Sequence, residues 1–365
     1  MERAPVDYIH LGDCLEFLRT LPDSSVELIL SSPPYNLGKT YESKRALDIY
    51  LEEQSEVLRE CCRVLSDTAS IFWQVGSYSN NGILIPLDVR IFPILEGLGL
   101  LPRNRIAWAR QHGLHGRRKF SARYETILWF TKSDDYIFNL DAIRVPQKYQ
   151  NKKSWRGDNK GEFTCHPDGK NPGDIWLFRN VKHNHEEQTI HPCQFPEDMV
   201  ARVILSTTNP GDLVLDPYMG AGTVAVVARD TNRHYLGAEL DKEYHALSEW
   251  RLSGEPDENG VFPNLKTLRD YAQRTGTSIT KYRFAVQVGE KPTDRSRAKI
   301  YPEEYHLQEL ESRLSYEEDC FAADRRGMPQ PEMRSSDMKN LRPVDGSTGT
   351  QELAPLQPNL LDFSD

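Results

Sequence analysis

The strongest constraint on the fold is a predicted strand that runs into a glycine-rich turn and then into a helix of small residues. Residues 212–215 form the strand, Gly220 and Gly222 lie in the turn, and Thr223 is expected to cap the helix 224–229. Glycine lets the backbone approach a ligand closely, and a helix N-terminus favours a carboxylate or a phosphate group. This unit is typical of an α/β protein that binds a nucleotide-like ligand.

Strands and helices alternate along most of the chain. The predicted strands are residues 8–11, 26–30, 69–75, 105–108, 126–130 and 234–238, and the predicted helices are residues 14–21, 51–64 and 196–206. This alternation predicts an α/β fold with a doubly wound, mostly parallel, Rossmann-like sheet. A polar, irregular stretch from 146 to 172 interrupts the pattern, and such a stretch inside an enzyme is usually a functional insert.

The composition excludes several classes of protein. The 365 residues carry 45 Lys and Arg against 54 Asp and Glu, a net charge of −9. No apolar run approaches the ~20 residues of a membrane span, and no secretory signal is expected. The six cysteines form no C-x-x-C pair, which fits reduced thiols in a cytosol. Residues 103–160 nevertheless hold 14 Lys and Arg against 5 Asp and Glu, interleaved with aromatic residues, which indicates either a phosphate-binding surface or a solvated charged face.

A second motif, Ser32-Pro33-Pro34-Tyr35, directly follows a buried strand. Two consecutive prolines exclude a helix and keep the backbone extended beyond the end of the strand. A hydroxyl, a free carbonyl and an aromatic ring are thereby held together where α/β sheets bind ligands. This set can bind an exocyclic amino group by accepting its two N–H hydrogens, while the tyrosine ring stacks on the ring that carries the amino group. A strand-ending turn with a packed tyrosine is the structural alternative.

An acidic residue stands where a nucleotide-binding unit makes its ribose contact. Glu239 ends a predicted strand, nineteen residues after Gly220. Because Ala225 completes a G-x-G-x-x-A pattern, an NAD-type site is an alternative, although it gives no role to the proline motif. The pair Asp216-Pro217, directly ahead of the glycines, favours S-adenosylmethionine instead.

With both motifs in this order, the chain resembles the amino DNA methyltransferases of restriction–modification systems and their solitary relatives. The proline motif comes first and the glycine motif last, as in the permuted group called β, and the resemblance covers about residues 6–252. Further stretches that carry it are Gly12-Asp13-Cys14-Leu15, Leu21-Pro22-Asp23-Ser24-Ser25-Val26, Arg123-Tyr124-Glu125, Gly173-Asp174-Ile175-Trp176, His191-Pro192-Cys193-Gln194-Phe195-Pro196 and Gly237-Ala238-Glu239.

The resemblance implies S-adenosylmethionine as the cofactor and suggests its contacts. Glu239 would take the ribose hydroxyls, and Asp13 and Cys14 would lie near the adenine amino group. Asp241 competes for the ribose role but is expected to cap the following helix. The methionine part would be held by Asp216, Pro217, Gly220, Gly222 and Thr223.

The resemblance also implies double-stranded DNA as the partner, with the target base flipped out of the duplex. Tyr35 would stack on that base, Ser32 and Pro33 would accept its amino hydrogens, and Pro34 would hold the backbone. Target recognition is expected in the irregular insert. The expected DNA contacts are Arg117, Arg118, Lys119, Arg123, Lys148, Lys152, Lys153 and Arg156.

The residue at position 32 bears on the target base. Relatives that act on adenine usually carry Asp or Asn there, whereas serine is commoner in those that act on the cytosine 4-amino group. We therefore expect cytosine-N4 methylation, with adenine-N6 methylation as the alternative and a non-catalytic DNA-binding module as a remoter one. Cytosine C5 methylation needs a cysteine nucleophile, and the proline motif has none. The His and Cys spacing matches no zinc pattern, so no metal site is expected.

The expected organisation is a methyltransferase domain followed by two further segments. The domain spans 1–254 and consists of a catalytic part (1–145), a target-recognition insert (about 146–190) and a cofactor part (191–254). A C-terminal extension (255–327) and a disordered tail (328–365) follow. We also expect a cytoplasmic location, a monomer or a homodimer, and a cognate restriction endonuclease as a candidate partner.

Overall fold

The computed structural model describes residues 4–38, 44–80, 82–109, 116–147, 149, 152–182, 185–277, 283–287 and 298–301. All of them belong to one unit, Met1–Leu307. The expected DNA contact Lys148 and the tail expected over 328–365 lie outside the described residues. The domain boundaries given above stay predictions.

The described elements follow the predicted alternation, with several additions. The helices are α1 (Cys14–Thr20), α2 (Leu47–Val64), α3 (Leu87–Gly97), α4 (Glu197–Thr207), α5 (Thr223–Asp230), α6 (Lys242–Ser253) and α7 (Leu265–Thr275), with a 3-10 turn at Leu140–Ile143. The strands are β1 (Tyr8–Leu11), β2 (Val26–Ser31), β3 (Leu65–Val75), β4 (Ser77–Asn80), β5 (Ile83–Pro86), β6 (Leu101–Ala109), β7 (Tyr124–Thr131), β8 (Ile175–Trp176), β9 (Leu213–Asp216), β10 (His234–Glu239), β11 (Val261–Phe262), β12 (Arg283–Gln287) and β13 (Ala298–Tyr301).

Eight strands form the central sheet, in the order β1-β10-β9-β2-β3-β7-β6-β8. β7 runs antiparallel to its neighbours β3 and β6, and the other neighbouring pairs are parallel. Helices α1, α2 and α3 pack on one face, and α4 and α5 pack on the other. Because both faces are covered, Leu28, Ile29 and Leu30 of β2 are all buried. The predicted doubly wound, mostly parallel α/β fold is confirmed.

The chain winds outward in opposite directions from the β2–β9 pair. β2 connects through α2 to β3 on one side, and β9 connects through α5 to β10 on the other. The two strands are parallel, with Ile29 opposite Leu215. Their carboxyl ends therefore frame a crevice at one edge of the sheet, which is where open α/β sheets bind ligands. We call it the central crevice.

One predicted helix cap is wrong and another is confirmed. The N-cap of α5 is Gly222 in a left-handed conformation (φ 75°), with no side-chain cap, so Thr223 is the first helical residue instead of the cap. The left-handed turn at Gly222 carries the chain into the helix, and the hydroxyl of Thr223 accepts a hydrogen bond from Arg251 (2.9 Å). Asp241 caps α6 as expected, because its carboxylate accepts from the backbone N–H groups of Glu243 and Tyr244.

The irregular insert has a backbone framework of its own. Lys153 bridges to Phe163, and Val145 bridges to Lys170. The insert also contains β8, which pairs with β6 at the edge of the sheet. Beyond residue 254, helix α7 follows the short strand β11. Within the described ranges, no helix combines the length and the apolar character needed to cross a membrane.

Candidate active site

The two sequence motifs meet where β2 and β9 end. The Ser31 hydroxyl donates a hydrogen bond to Oδ1 of Asp216 at 2.5 Å, and both residues are buried. The same oxygen accepts from the backbone N–H of Tyr218 at 3.0 Å. Because Ser31 precedes the proline motif and Asp216 precedes the glycine turn, this contact brings the two loops to either side of the central crevice. Ser31 was not among the predicted site residues.

The carboxyl of Asp216 has a raised pKa. Burial raises the pKa of its carboxyl to about 7, although the hydrogen bonds from Ser31 and Tyr218 act in the opposite direction. The buried Pro217 follows it in the turn. The carboxyl therefore changes its charge near neutral pH, and a cation beside it would favour the ionised form.

The glycine turn is tied to the end of β10. The backbone N–H of Gly220 donates to Oε2 of Glu239 at 2.7 Å, and Oε1 of Glu239 accepts from the N–H of Asp241 at 2.8 Å. Gly220 has a left-handed φ of 54°, and a Cβ added there would lie 3.2 Å from Nε2 of His191. A side chain at this position would crowd the histidine ring, so glycine keeps the turn open.

Asp13 and Cys14 lie at the start of α1. Asp13 is exposed and caps the helix by accepting from the N–H of Glu16 at 3.0 Å. Burial raises the pKa of the Cys14 thiol to about 12, and Tyr218 forms a hydrogen bond with that thiol. A thiol with so high a pKa is a poor nucleophile, which argues against covalent cysteine chemistry at this position.

The proline motif leads into a polar cluster that sequence reasoning missed. Oγ of Ser32 donates to Oε1 of Gln74 at 2.6 Å and lies 3.3 Å from the hydroxyl of Tyr35, which donates to the same Gln74 oxygen. Nε2 of Gln74 donates to Oε2 of Glu125 at 2.5 Å. The carbonyl of Pro34 accepts from the hydroxyl of Tyr50 at 2.8 Å, which fixes the backbone between the serine and the tyrosine. We call Ser32, Tyr35, Gln74 and Glu125 the polar cluster.

The ring of Tyr35 in the polar cluster is closely packed against Gly76. A Cβ added at Gly76 would lie 2.9 Å from Cε2 of Tyr35, so the ring packs where only a glycine leaves room. Burial, and then the nearby Glu125 carboxylate, raise the pKa of Tyr35 well above its usual value. The hydroxyl therefore stays protonated and acts as a donor.

The expected DNA contacts that the structure describes lie on two segments. The first precedes β7, where Arg117, Arg118 and Lys119 are exposed and Arg123 is partly buried. The second is the insert, where Lys152, Lys153 and Arg156 are exposed beside Trp155, of which 85% is exposed. Among the described residues, Nη1 of Arg123 is buried without a hydrogen-bond partner.

Comparisons with known proteins identify the family. A family of DNA methylases matches residues 26–249. The chain is 55% identical over 312 residues to the Type II methyltransferase M.BglII of Bacillus subtilis, a match that covers 85% of this chain and 86% of the relative. It is 33% identical over 247 residues to the DNA adenine methyltransferase YhdJ of Escherichia coli K12, which covers 66% and 81% of the two chains.

A solved structure has the same fold. The PvuII DNA methyltransferase, described as cytosine-N4-specific, superposes with a TM-score of 0.56 at 18% identity, over 76% of this chain and 95% of the other. The match supports the α/β fold described above. The family assignment itself comes from the sequence matches.

The chain belongs to the DNA methylase family of N6 and N4 methyltransferases. It is a DNA methyltransferase, and its methyl donor is S-adenosylmethionine, on which this family depends. The resemblance seen in the sequence is thereby confirmed.

Proposed function

We propose that the chain methylates the 4-amino group of cytosine in a specific sequence of double-stranded DNA. The observation that carries the proposal is the hydroxyl of Ser32, which donates a hydrogen bond to Oε1 of Gln74 at 2.6 Å. The hydroxyl oxygen is then left with acceptor capacity alone, beside an aromatic ring at the end of β2. Such a group suits an amino substrate, and serine rather than aspartate at this position favours cytosine.

Three residues would act on the flipped base in this proposal. Tyr35 stacks on the ring, because an extruded base needs a flat apolar surface in place of its former neighbours. Ser32 and the Pro33 carbonyl accept the two amino hydrogens, which concentrates the nitrogen lone pair for attack. When bound, S-adenosylmethionine supplies an electrophilic methyl group.

The chemistry of the central crevice supports the cofactor contacts that we propose. Asp216 offers a carboxylate for an amino group, and Glu239 has acceptor capacity left for ribose hydroxyls, because each carboxylate oxygen can accept more than one hydrogen bond. Gly220 and Gly222 leave the loop open, and the adjoining N-terminus of α5 suits a carboxylate. Asp13, Cys14, Pro217 and Thr223 complete the proposed set.

The base assignment can be tested in cells. The intact chain is expressed in a bacterial host that lacks its own DNA methylation, and the genomic DNA is digested to nucleosides and analysed by mass spectrometry. We expect 4-methylcytosine with the wild type and none with the Ser32→Ala variant. If 6-methyladenine appears instead, the amino-group mechanism holds and the cytosine assignment is wrong. Adenine is the alternative to test because the chain is also similar to a DNA adenine methyltransferase.

Cofactor affinity is expected to rise with pH. The Asp216 carboxyl, with a pKa of about 7, must be ionised to hold a cationic amino group, so affinity should be lower at pH 6 than at pH 8 by up to about tenfold. The effect on stability has the opposite sign, because a raised pKa stabilises the fold at low pH and that contribution is lost as pH rises through 7.

Titration calorimetry of S-adenosylmethionine between pH 6 and pH 8 measures this dependence. The Asp216→Asn variant is the control, because its side chain does not titrate, and its affinity should vary little over the same range. An equally steep profile in the variant would assign the titration to another group.

We further propose that the basic residues before β7 and in the insert bind DNA phosphates. The variant Lys152→Gln/Lys153→Gln/Arg156→Gln removes three exposed charges, so the slope of log affinity against log salt should fall by up to ~3, about 0.9 for each phosphate that is no longer neutralised. A matched control removes Arg19, Arg59 and Arg90, which are exposed on α1, α2 and α3. If only the control changes the slope, the DNA surface lies elsewhere.

The biological setting is also part of the proposal. We infer a cytoplasmic enzyme, either a monomer or a homodimer, whose modification protects DNA from a cognate restriction endonuclease. The name of the Type II relative supports this setting. DNA purified from cells that express the chain should resist an endonuclease of the same sequence specificity.

A further inference from the structure

We propose that Gln74 and Glu125 are positioning residues that make the hydroxyl of Ser32 an obligatory acceptor for the substrate amine. Glu125 orients the side-chain amide of Gln74, and the amide oxygen of Gln74 in turn accepts a hydrogen bond from the hydroxyl of Ser32. This inference rests on the proposed function, because it explains how a neutral hydroxyl performs the task assigned to it there.

The strands bring these two residues to the edge of the crevice. Gln74 is next to the last residue of β3 and is only 1% exposed, although glutamine is seldom fully buried. Glu125 is the second residue of β7, which runs antiparallel to β3. The antiparallel pairing places the start of β7 beside the end of β3, so the side chains of both residues reach the loop that follows β2.

The carboxylate of Glu125 determines the orientation of the Gln74 amide. A carboxylate only accepts hydrogen bonds, so the amide nitrogen of Gln74 must face Glu125, at 2.5 Å. The amide oxygen then faces Ser32 and Tyr35 and accepts from both hydroxyls. Rotating the amide would leave the Glu125 carboxylate facing the amide oxygen, so that two acceptors would meet with no proton between them, which is unfavourable away from water.

The arrangement matters because a hydroxyl has two possible roles. A free serine can donate its proton toward the substrate nitrogen, and it would then compete with methyl transfer by engaging the lone pair that must attack. With its proton held by Gln74, Ser32 can only accept an N–H of the amine. A carboxylate in the same position needs no such device, since it carries no proton to direct. Gln74 and Glu125 thus make Ser32 act only as an acceptor, as an aspartate in the same position would without such partners.

A charge swap tests the inference. In Glu125→Gln, the amide at position 74 loses its fixed orientation, so kcat should fall by about 10- to 100-fold, while the dissociation constant for S-adenosylmethionine stays within about threefold of the wild type. In Gln74→Glu/Glu125→Gln, the carboxylate at 74 can only accept from Ser32 and Tyr35, and the amide at 125 donates to it. The swap conserves size and net charge, and it should restore kcat to within about threefold of the wild type.

A purely structural role predicts a different result. With a purely structural role, two exchanged side chains would be no better than one exchanged side chain. The double variant would then be as slow as Glu125→Gln or slower, which would overturn the inference. An unchanged kcat in Glu125→Gln would overturn it as well. Should Glu125→Gln unfold, the double variant alone decides, because the inference requires it to be active. Glu60→Gln, on α2, controls for the loss of one carboxylate.

The outcome is separable from the proposed function. The wild-type enzyme is assayed in the same experiment, and the methylated nucleoside it produces tests the proposed function without reference to the variants. A wild type that methylates an amino group, together with a swap that fails to restore turnover, would reject the inference alone.

Discussion

Replacement of Tyr35 by alanine is expected to lower kcat by about 100-fold or more. Stacking of a base on an aromatic side chain contributes about 1–3 kcal/mol, which corresponds to a factor of up to ~150. The variant also removes the Tyr35 hydroxyl, so the amide oxygen of Gln74 keeps only one of its two hydroxyl donors, Ser32. Single-turnover kinetics with saturating DNA and cofactor measure the effect on the methyl-transfer step.

The controls separate stacking from the other contributions. Tyr35→Phe keeps the ring and loses only the hydroxyl, so it should retain kcat within about tenfold of the wild type. Cofactor affinity should be close to normal in both variants, because Tyr35 belongs to the proline motif and not to the glycine turn. A large loss of cofactor affinity in Tyr35→Ala would contradict the role assigned to the ring.

The second large effect is expected at Arg251, which is buried beneath the glycine turn. Its guanidinium donates to the carbonyl of Ala221 at 2.6 Å and to the hydroxyl of Thr223 at 2.9 Å, and it pairs with Glu197 at 2.7 Å. Lys266 of α7 also contacts Glu197, at 2.8 Å. Arg251→Met removes one partner of a buried ion pair, so the free energy of unfolding should fall by about 3–5 kcal/mol.

Urea unfolding followed by circular dichroism measures this change. Arg269→Met is a matched control, because Arg269 on the neighbouring helix pairs with Glu186 at 2.6 Å but both side chains are about a third exposed. A pair so exposed contributes no more than about 1 kcal/mol. Equal losses in the two variants would mean that the buried pair adds nothing beyond a surface contact.

The architecture of the crevice follows from the sequence by a short argument. Both motifs directly follow predicted buried strands, and parallel strands place their carboxyl ends at the same edge of a sheet. The contact between Ser31 and Asp216 is a consequence of that rule. The pairing order of the strands does not follow from the alternation alone, since local patterns do not say which strands are neighbours.

The groups that sequence reasoning missed are those whose role depends on distant contacts. Gln74 belongs to no motif and lies near the end of a predicted buried strand, and Glu125, although part of a family stretch, had no role assigned to it. Arg251 lies on a helix with charged neighbours and reads as a surface residue, yet it is 2% exposed. The prediction of Thr223 as a cap is wrong because Gly222, in a left-handed conformation that glycine favours, takes the N-cap position instead.

Methyl transfer by the purified chain tests the central claim most directly. The enzyme is incubated with S-adenosylmethionine carrying a labelled methyl group and with unmethylated bacterial DNA, and the DNA is digested to nucleosides. We predict label in an amino-methylated base, foremost 4-methylcytosine, and its loss in Tyr35→Ala. Label at C5 of cytosine, or label that persists in Tyr35→Ala, would contradict the account of the crevice given above.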